Sequence, residues 1–232
     1  EMRPRFGMPV VKRLQEQLQE YNKLTGSCGN AHVYAAKTAL EEYQKKHEGI
    51  GVDVSDLIFL DLSERRPSEF KGGVFEGGAN FFDLSNAPFS QFARSRHSSR
   101  RFKGDIRISL DVVIEAIEIA KSTPSACNRQ PWKVYSYRNR DRISSIMELH
   151  QGSRGFGADL PMLLIVTCRM DTYSGIGERN QTYVDGGLFA MTLMFAFHYL
   201  KIGAVPLNWS VDRRSDQKIK ERSSIPDDEN II

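Results

Sequence analysis

The run 182–200 is apolar on nearly every side over the length of a long helix. A helix with no polar face has no stable place on a surface; it lies at the centre of a core or is shared between subunits. That requirement shapes everything else, because other elements have to wrap around it. Its most apolar part, 188–200, includes His198 and is too short to cross a bilayer. Around it the patterning alternates. Ser109 predicts the N-cap of a helix whose Leu110, Val113, Ile114, Ile117 and Ala120 face one way. Residues 132–137 alternate as a strand, 141–149 have helical spacing, and 162–167 form a continuous apolar run expected of a strand covered on both faces. Residues 204–207 read as a further short strand and 213–222 as a basic amphipathic helix. Helices and strands in this order make an α/β or α+β sandwich.

The first third is organised differently. Val11, Leu14, Leu18 and Tyr21 share a helical face, as do Val33, Ala36, Leu40 and Tyr43, with a turn at 25–29 between them. Asn30 is placed to cap the second helix, and Glu48-Gly-Ile-Gly51 to end it. Residues 57–62 suit a strand. The glycine-rich tract 67–86 reads as a linker or an arm packed on a domain surface or oligomer interface. We therefore expect a helical region and arm over 1–90, followed by one domain over 91–232.

Length and composition exclude several classes. A chain of 232 residues makes one large domain, or one with an appendage. A net charge of only +3 supplies no global field for nucleic acid or an anionic membrane, so neither is expected as a partner. The N-terminus has no secretory pattern. Cys28, Cys127 and Cys168 are odd in number and far apart, without a Cys-x-x-Cys or histidine-rich metal pattern, which suggests a reducing, cytoplasmic setting.

Two short stretches carry the chemistry. The first is Arg94-Ser-Arg-His-Ser-Ser-Arg-Arg-Phe102 and the second Pro124-Ser-Ala-Cys-Asn-Arg-Gln-Pro-Trp132. Alone, the first fits a solvated basic run, a nucleic-acid contact or a specific anion site, since arginines beside serines bind phosphates of any kind. Alone, the second is a loop ending a helix, because Pro124 stops the helix and Pro131 pushes Gln130 towards extended backbone. In this order, with one helix between them, they suggest an anionic cofactor held by the first loop and a flat polar ring resting on the second.

The pair resembles the nitroreductase family of FMN-dependent oxidoreductases. Arg96, Ser98, Arg100 and Phe102 match its N-terminal motif, and Pro124, Ser125, Asn128, Gln130, Pro131 and Trp132 match its second without a gap. Asp185-Gly-Gly187, the apolar helix and Ile202-Gly-Ala-Val-Pro-Leu-Asn-Trp209 resemble a third, weaker element. The likeness covers the chain from about Arg94 onward. It implies an α+β fold, a mixed sheet wrapped by helices in an intertwined homodimer. It also implies FMN as cofactor, NADH or NADPH as electron donor and a small-molecule electron acceptor.

The resemblance assigns roles residue by residue. Arg96 grips the phosphate with help from the Ser98 hydroxyl, and His97 contributes its backbone. Arg100 reaches the pyrimidine edge of the ring, where a cation stabilises the charge that gathers on reduction. Pro124, Ser125, Ala126, Cys127 and Asn128 contact the flavin from the partner subunit, with Gln130 and Trp132 fixing that loop. Leu207 and Asn208 offer main-chain amides towards N5. Relatives often have an acidic residue near that loop; here Asn208 and Trp209 stand instead, and Trp209 narrows the pocket. Ser153 takes the place of a loop asparagine. Relatives also continue past the equivalent of Ile231-Ile232 with a strand and a basic segment that helps hold the phosphate, so the end of this chain resembles a cut strand.

Rival readings stay open at this point. One is a relative that fragments the flavin or removes a substituent reductively, as a dehalogenase does. Another is a non-catalytic flavin-binding protein, and a third an RNA-binding surface at 94–101. Gln-Pro-Trp and the long apolar helix favour the flavin readings, and the low net charge argues against RNA. No Ser-His-Asp order, paired-carboxylate pattern, His-Glu-x-x-His or Walker loop is present.

Overall fold

A computed structural model describes residues 4–25, 31–56, 81–103, 105–153 and 155–232. The chain divides into two compact units, Glu1–Gly78 and Ala79–Ile232. In the first, α1 (Met8–Thr25) packs on α2 (Ala31–Glu48). Val11, Leu18, Val33, Leu40, Tyr43 and Val54 form their core, with Leu14, Tyr21 and Ala36 against it. Both predicted apolar faces are therefore the ones that meet. Gly51, at φ +70°, turns the chain after α2. The expected turn at 25–29 lies beyond Thr25 outside the described residues, as do Asn30, Cys28, the strand at 57–62 and the tract 67–86 up to residue 80.

The second unit is layered. It holds α3 (Phe89–Ser95), α4 (Leu110–Ala120), β1 (Trp132–Tyr137), α5 (Arg140–Met147), β2 (Leu163–Arg169), α6 (Gln181–Tyr199), α7 (Arg213–Ser223) and β3 (Glu229–Ile231). The strands lie in the order β1-β2-β3, all antiparallel, with Trp132 opposite Cys168 and Thr167 opposite Ile231. Alternation along each strand sorts its side chains to two faces. Trp132, Val134, Leu164 and Val166 pack with Phe189, Leu193 and Phe197 of α6, which in turn carries α4. Tyr135, Tyr137, Leu163 and Ile165 pack with Ile146 of α5 and Ile219 of α7. The continuous apolar run in β2 thus reflects helices on both faces.

Ser109 caps α4 as expected, its hydroxyl oxygen accepting from Asp111 N at 3.2 Å. The buried face of that helix is narrower than its apolar pattern. Val113, Ala116 and Ala120 are buried, whereas Leu110 and Ile114 are exposed. The expected strand at 204–207 does not form; that segment pairs with no strand among the described residues. No described helix is long and apolar enough to cross a membrane.

Glu229 fastens β3 to the sheet. Its carboxylate is fully buried and accepts from Lys133 Nζ, Tyr135 Oη and Thr167 Oγ1. Burial raises the carboxyl pKa, but the bonds from Lys133, Thr167 and Tyr135 outweigh it and hold the group below its ordinary value of 4.5. The same contact, with burial the larger cause, pushes Tyr135 up to about 12. A carboxyl depressed in the folded state stabilises above its unfolded pKa, and that contribution is lost as pH falls through the folded value. Urea midpoints should therefore fall as the pH is lowered from about 5, and the fall should be shallower in Glu229→Gln. Parallel acid limbs in the two proteins would show that Glu229 does not set this dependence.

Candidate functional site

The basic stretch leaves α3 as extended chain, because Arg96, at φ −69° and ψ 121°, ends the helix. Ser99 N donates to Ala204 O at 3.0 Å, so the stretch runs beside 203–204. A side chain at Gly203 would bring a Cβ within 3.1 Å of Ser99 Cβ and Oγ; its absence lets the two backbones lie flush. One turn back, Ser95 donates its only hydroxyl proton to Phe92 O at 2.8 Å. Its oxygen therefore accepts from His198 Nε2–H, also at 2.8 Å, which fixes that buried ring at the end of α6. The one histidine of the apolar run 188–200 is thus satisfied by a neighbouring hydroxyl. Its pKa lies below 6.5, first through burial and then through the positive charge of Arg96 and His97.

The loop beside His198 is rich in arginine. Arg96 and Ser98 are half-buried, and His97 and Arg100 exposed. Among the described residues neither Arg96 nor Arg100 pairs with a carboxylate. Two guanidinium forks and a hydroxyl, uncompensated, are the donor set an anion requires.

The same edge brings in Leu207 and Asn208. Lys201, at φ +60°, ends α6 and turns the chain into 202–209. Leu207 is half-buried and packs with Phe102 and Val205 on Ile143, Met147, Phe156 and Leu160. Asn208 is exposed, and its carbonyl accepts from His150 Nε2–H at 2.9 Å, since His150 Nδ1 already accepts from Gly152 N at 3.0 Å. Trp209 donates from Nε1 to Asp216 Oδ1 at 2.9 Å and stacks on His150, so α7 fixes its ring. Residues 202–207 roof an apolar cavity of about 330 Å³, lined among others by Val113, Met162 and Leu164, instead of joining the sheet. Ser153 is buried with its hydroxyl donating to His150 O at 3.4 Å.

The second stretch adopts an unusual backbone. Cys127, Asn128 and Gln130 have φ of 52°, 54° and 49°. Each is in the left-handed region, so Gln130 is not extended as expected before Pro131; that region costs a residue with a Cβ about 1–2 kcal/mol and persists only where the surroundings impose it. Gln130 N donates to Ser125 Oγ at 2.9 Å, and Gln130 Nε2 to Asn128 Oδ1 at 3.0 Å, so Gln130 braces the loop from within. Trp132 stacks on Phe189 with centroids 4.8 Å apart, anchoring the loop's exit. Pro124, Cys127 and Asn128 are exposed, and Ser125 and Ala126 half-buried. Two contacts were not foreseen. Ala126 N donates to the buried Asp185 carboxylate at 3.1 Å, and Arg129 pairs with Glu178 at 2.6 Å while lying over the Tyr173 ring. The Asp-x-Gly pattern at 185–187 was the available signal for the first; nothing marked the second. Asp185 is the fifth residue of α6, which opens at Gln181.

Within one chain the fold gathers Arg96, His97, Ser98, Arg100, Leu207 and Asn208 along one edge. Pro124, Ser125, Ala126, Cys127 and Asn128 are held elsewhere. The first group is tied to His198 and the second to Asp185, and at 1.5 Å per residue those positions lie about 20 Å apart along α6. Apolar side chains on that helix remain uncovered, with Val184, Leu188 and Met191 exposed.

Residues 93–149 match the family model described as the nitroreductase family. A Methanothermobacter thermautotrophicus protein carried under the name NADH dehydrogenase/NAD(P)H nitroreductase is 28% identical over 115 residues, 48% of this chain. That match spans only about half of the relative, 56% of its length. Among solved structures, a nitroreductase-like protein from Streptococcus mutans superposes with a TM-score of 0.56 at 20% identity, covering 62% of this chain and 84% of that one. Iodotyrosine deiodinase bound to FMN and 3-iodo-L-tyrosine gives 0.52 at 19% identity, with 62% and 85% covered.

Proposed function

We infer that this chain, a nitroreductase-family protein by its match at 93–149 and by its fold, is an FMN-dependent oxidoreductase that uses NADH or NADPH to reduce a small-molecule acceptor. The observation that carries the reading is the uncompensated donor set of Arg96, Ser98 and Arg100 lying along Gly203 and leading to Leu207 and Asn208. Its chemistry fits FMN, whose phosphate needs guanidinium and hydroxyl donors and whose ring needs a cation at the pyrimidine edge and amides near N5. Bound FMN would supply two-electron transfer between nicotinamide and acceptor.

In this reading Arg96 binds the phosphate through its fork, Ser98 adds a hydroxyl donor, and the His97 backbone lines the turn. Arg100 neutralises charge at the ring edge, and the Leu207 and Asn208 amides orient the ring. If Arg96 and Arg100 span the cofactor along one edge, the Pro124–Asn128 loop some 20 Å away along α6 belongs to another flavin. A second copy then completes each site, its small residues Ser125 and Ala126 letting backbone approach the ring. The uncovered Val184, Leu188 and Met191 support the same homodimer, because an exposed apolar stripe on a central helix is a surface for association.

The test is direct. Purified protein incubated with FMN should retain flavin absorbance after gel filtration, sediment as a dimer, and bleach anaerobically with NADH or NADPH. Protein that stays colourless after incubation would end this reading. Arg100→Gln should lower the flavin midpoint potential. For an exposed cation the loss is about 1 kcal/mol, or roughly 20 mV for a two-electron couple. Equal potentials would place Arg100 away from the ring.

A further inference from the structure

The carboxylate of Asp185 is 1% exposed, yet it takes bonds from three separate places. Ala126 N of the loop donates to Oδ2, as does the Tyr173 hydroxyl, and Gln181 Nε2 donates to Oδ1 at 2.8 Å. A buried carboxylate is costly to leave without donors, so these bonds fix where it sits and hold each donor in turn. Gly186 helps bring it there. A Cβ at that position would meet Cys168 Sγ at 2.9 Å and the Ile232 side chain at 2.6 Å, so only a glycine lets the first turns of α6 press onto β2.

The far side of the loop leads back to the same carboxylate. Arg129 lies 5.5 Å from the centre of the Tyr173 ring, whose hydroxyl binds Asp185, and it pairs with Glu178. Ala126 and Arg129 are thus both tied to the Asp185–Tyr173 pair. Between them stand the two consecutive left-handed residues, Cys127 and Asn128. A strained turn held at one end by a buried carboxylate and at the other by that carboxylate's tyrosine partner has the pair as its determinant, with the carboxylate as the member that touches the turn's backbone.

We propose that Asp185 is the positioning residue of the loop: through the Ala126 amide it imposes the left-handed turn that presents Asn128 and the 125–127 backbone outward. That the presented surface meets a flavin ring rests on the FMN reading; the positioning itself does not. Asp185 touches no reacting atom and acts only through Ala126 and Tyr173.

Three variants test this without and with cofactor. Asp185→Leu keeps the approximate shape and removes the acceptor. Asp185→Asn can turn its oxygen to Ala126 and Tyr173 while Gln181 turns its own amide to match. In hydrogen–deuterium exchange of the cofactor-free full chain, residues 124–130 should exchange about tenfold faster in Asp185→Leu, with β1 unchanged and Asp185→Asn within about threefold of the parent. In FMN titrations followed by fluorescence quenching, Asp185→Leu should bind about tenfold more weakly and Asp185→Asn close to the parent. Unchanged exchange over 124–130 in Asp185→Leu would overturn the proposal. A parent protein that takes up no FMN would instead end the flavin reading, with exchange still deciding the positioning. Should Asp185→Leu fail to fold, Tyr173→Phe withdraws one donor from the same carboxylate: faster exchange over 124–130 supports the proposal, and parental exchange overturns it.

Discussion

Replacing Phe189 with alanine will lower the stability of the second unit by about 3–5 kcal/mol and its thermal midpoint by roughly 10 °C. The ring is fully buried on α6 and stacks on Trp132 of β1, with planes 16° apart. It belongs to the cluster that joins Val113 and Ala116 of α4 to the sheet. Truncation removes the contacts of one face with the strands and of the other with α4. Neither layer can collapse far, because β1 is tied into β2 along its whole length and α4 is seated by Ala116 and Ala120, so a cavity remains. Both tryptophans of the chain, Trp132 and Trp209, lie in this unit, so urea unfolding followed by tryptophan fluorescence reads it separately from the first. A loss under about 1 kcal/mol would mean that α6 is not the centre of the core.

Arg96→Ala will weaken FMN binding by about 2–3 kcal/mol, or roughly 30- to 150-fold, if its guanidinium grips the phosphate through charge-assisted hydrogen bonds. The residue is half-buried on extended chain beside Ala204, so its fork is better ordered than that of a side chain free in solvent. Arg96→Lys should fall between the two, since an ammonium keeps the charge and loses the planar two-point contact. Arg94, exposed on α3, is the control, and its replacement should change affinity about twofold or less. Equal losses at Arg94 and Arg96, measured by equilibrium titration at one salt concentration, would reveal a diffuse field instead of a specific grip.

The two results test different kinds of legibility. Strand β1 could be read from its short run of aromatic and β-branched residues broken by Lys133 and Ser136, the two positions that stay exposed while Trp132 and Val134 pack on one face and Tyr135 and Tyr137 on the other. Strand β2 could be read from its unbroken apolar run, which only a strand covered on both faces tolerates. Residues 204–207, Ala-Val-Pro-Leu, are also apolar and form no strand, and Pro206 has no N–H to give a ladder. A strand is a property of a pair, and the 202–207 segment roofs a cavity where no edge is offered to it. Helix α6 was visible as a helix, but not the side it buries. Uniform apolarity has no period, so only the packed neighbours choose Phe189, Leu193 and Ala196 over Val184 and Leu188.

The candidate site divides along the same line. Its residues stood out as two local motifs, because a run of arginines beside serines and a loop of small residues bounded by prolines are each marked by side chains within a few positions. Local order alone thus determined α1, α2, α4, α5, α6 and α7, the two long strands, the basic stretch and the small-residue loop, but not the short helix α3. Tertiary structure decided how they are held. It ties Ala126 to Asp185 across 59 residues and Ser95 to His198 across 103. It also sets the two halves at opposite ends of α6, because a helix rises a fixed distance per residue and keeps apart what is anchored to its two ends.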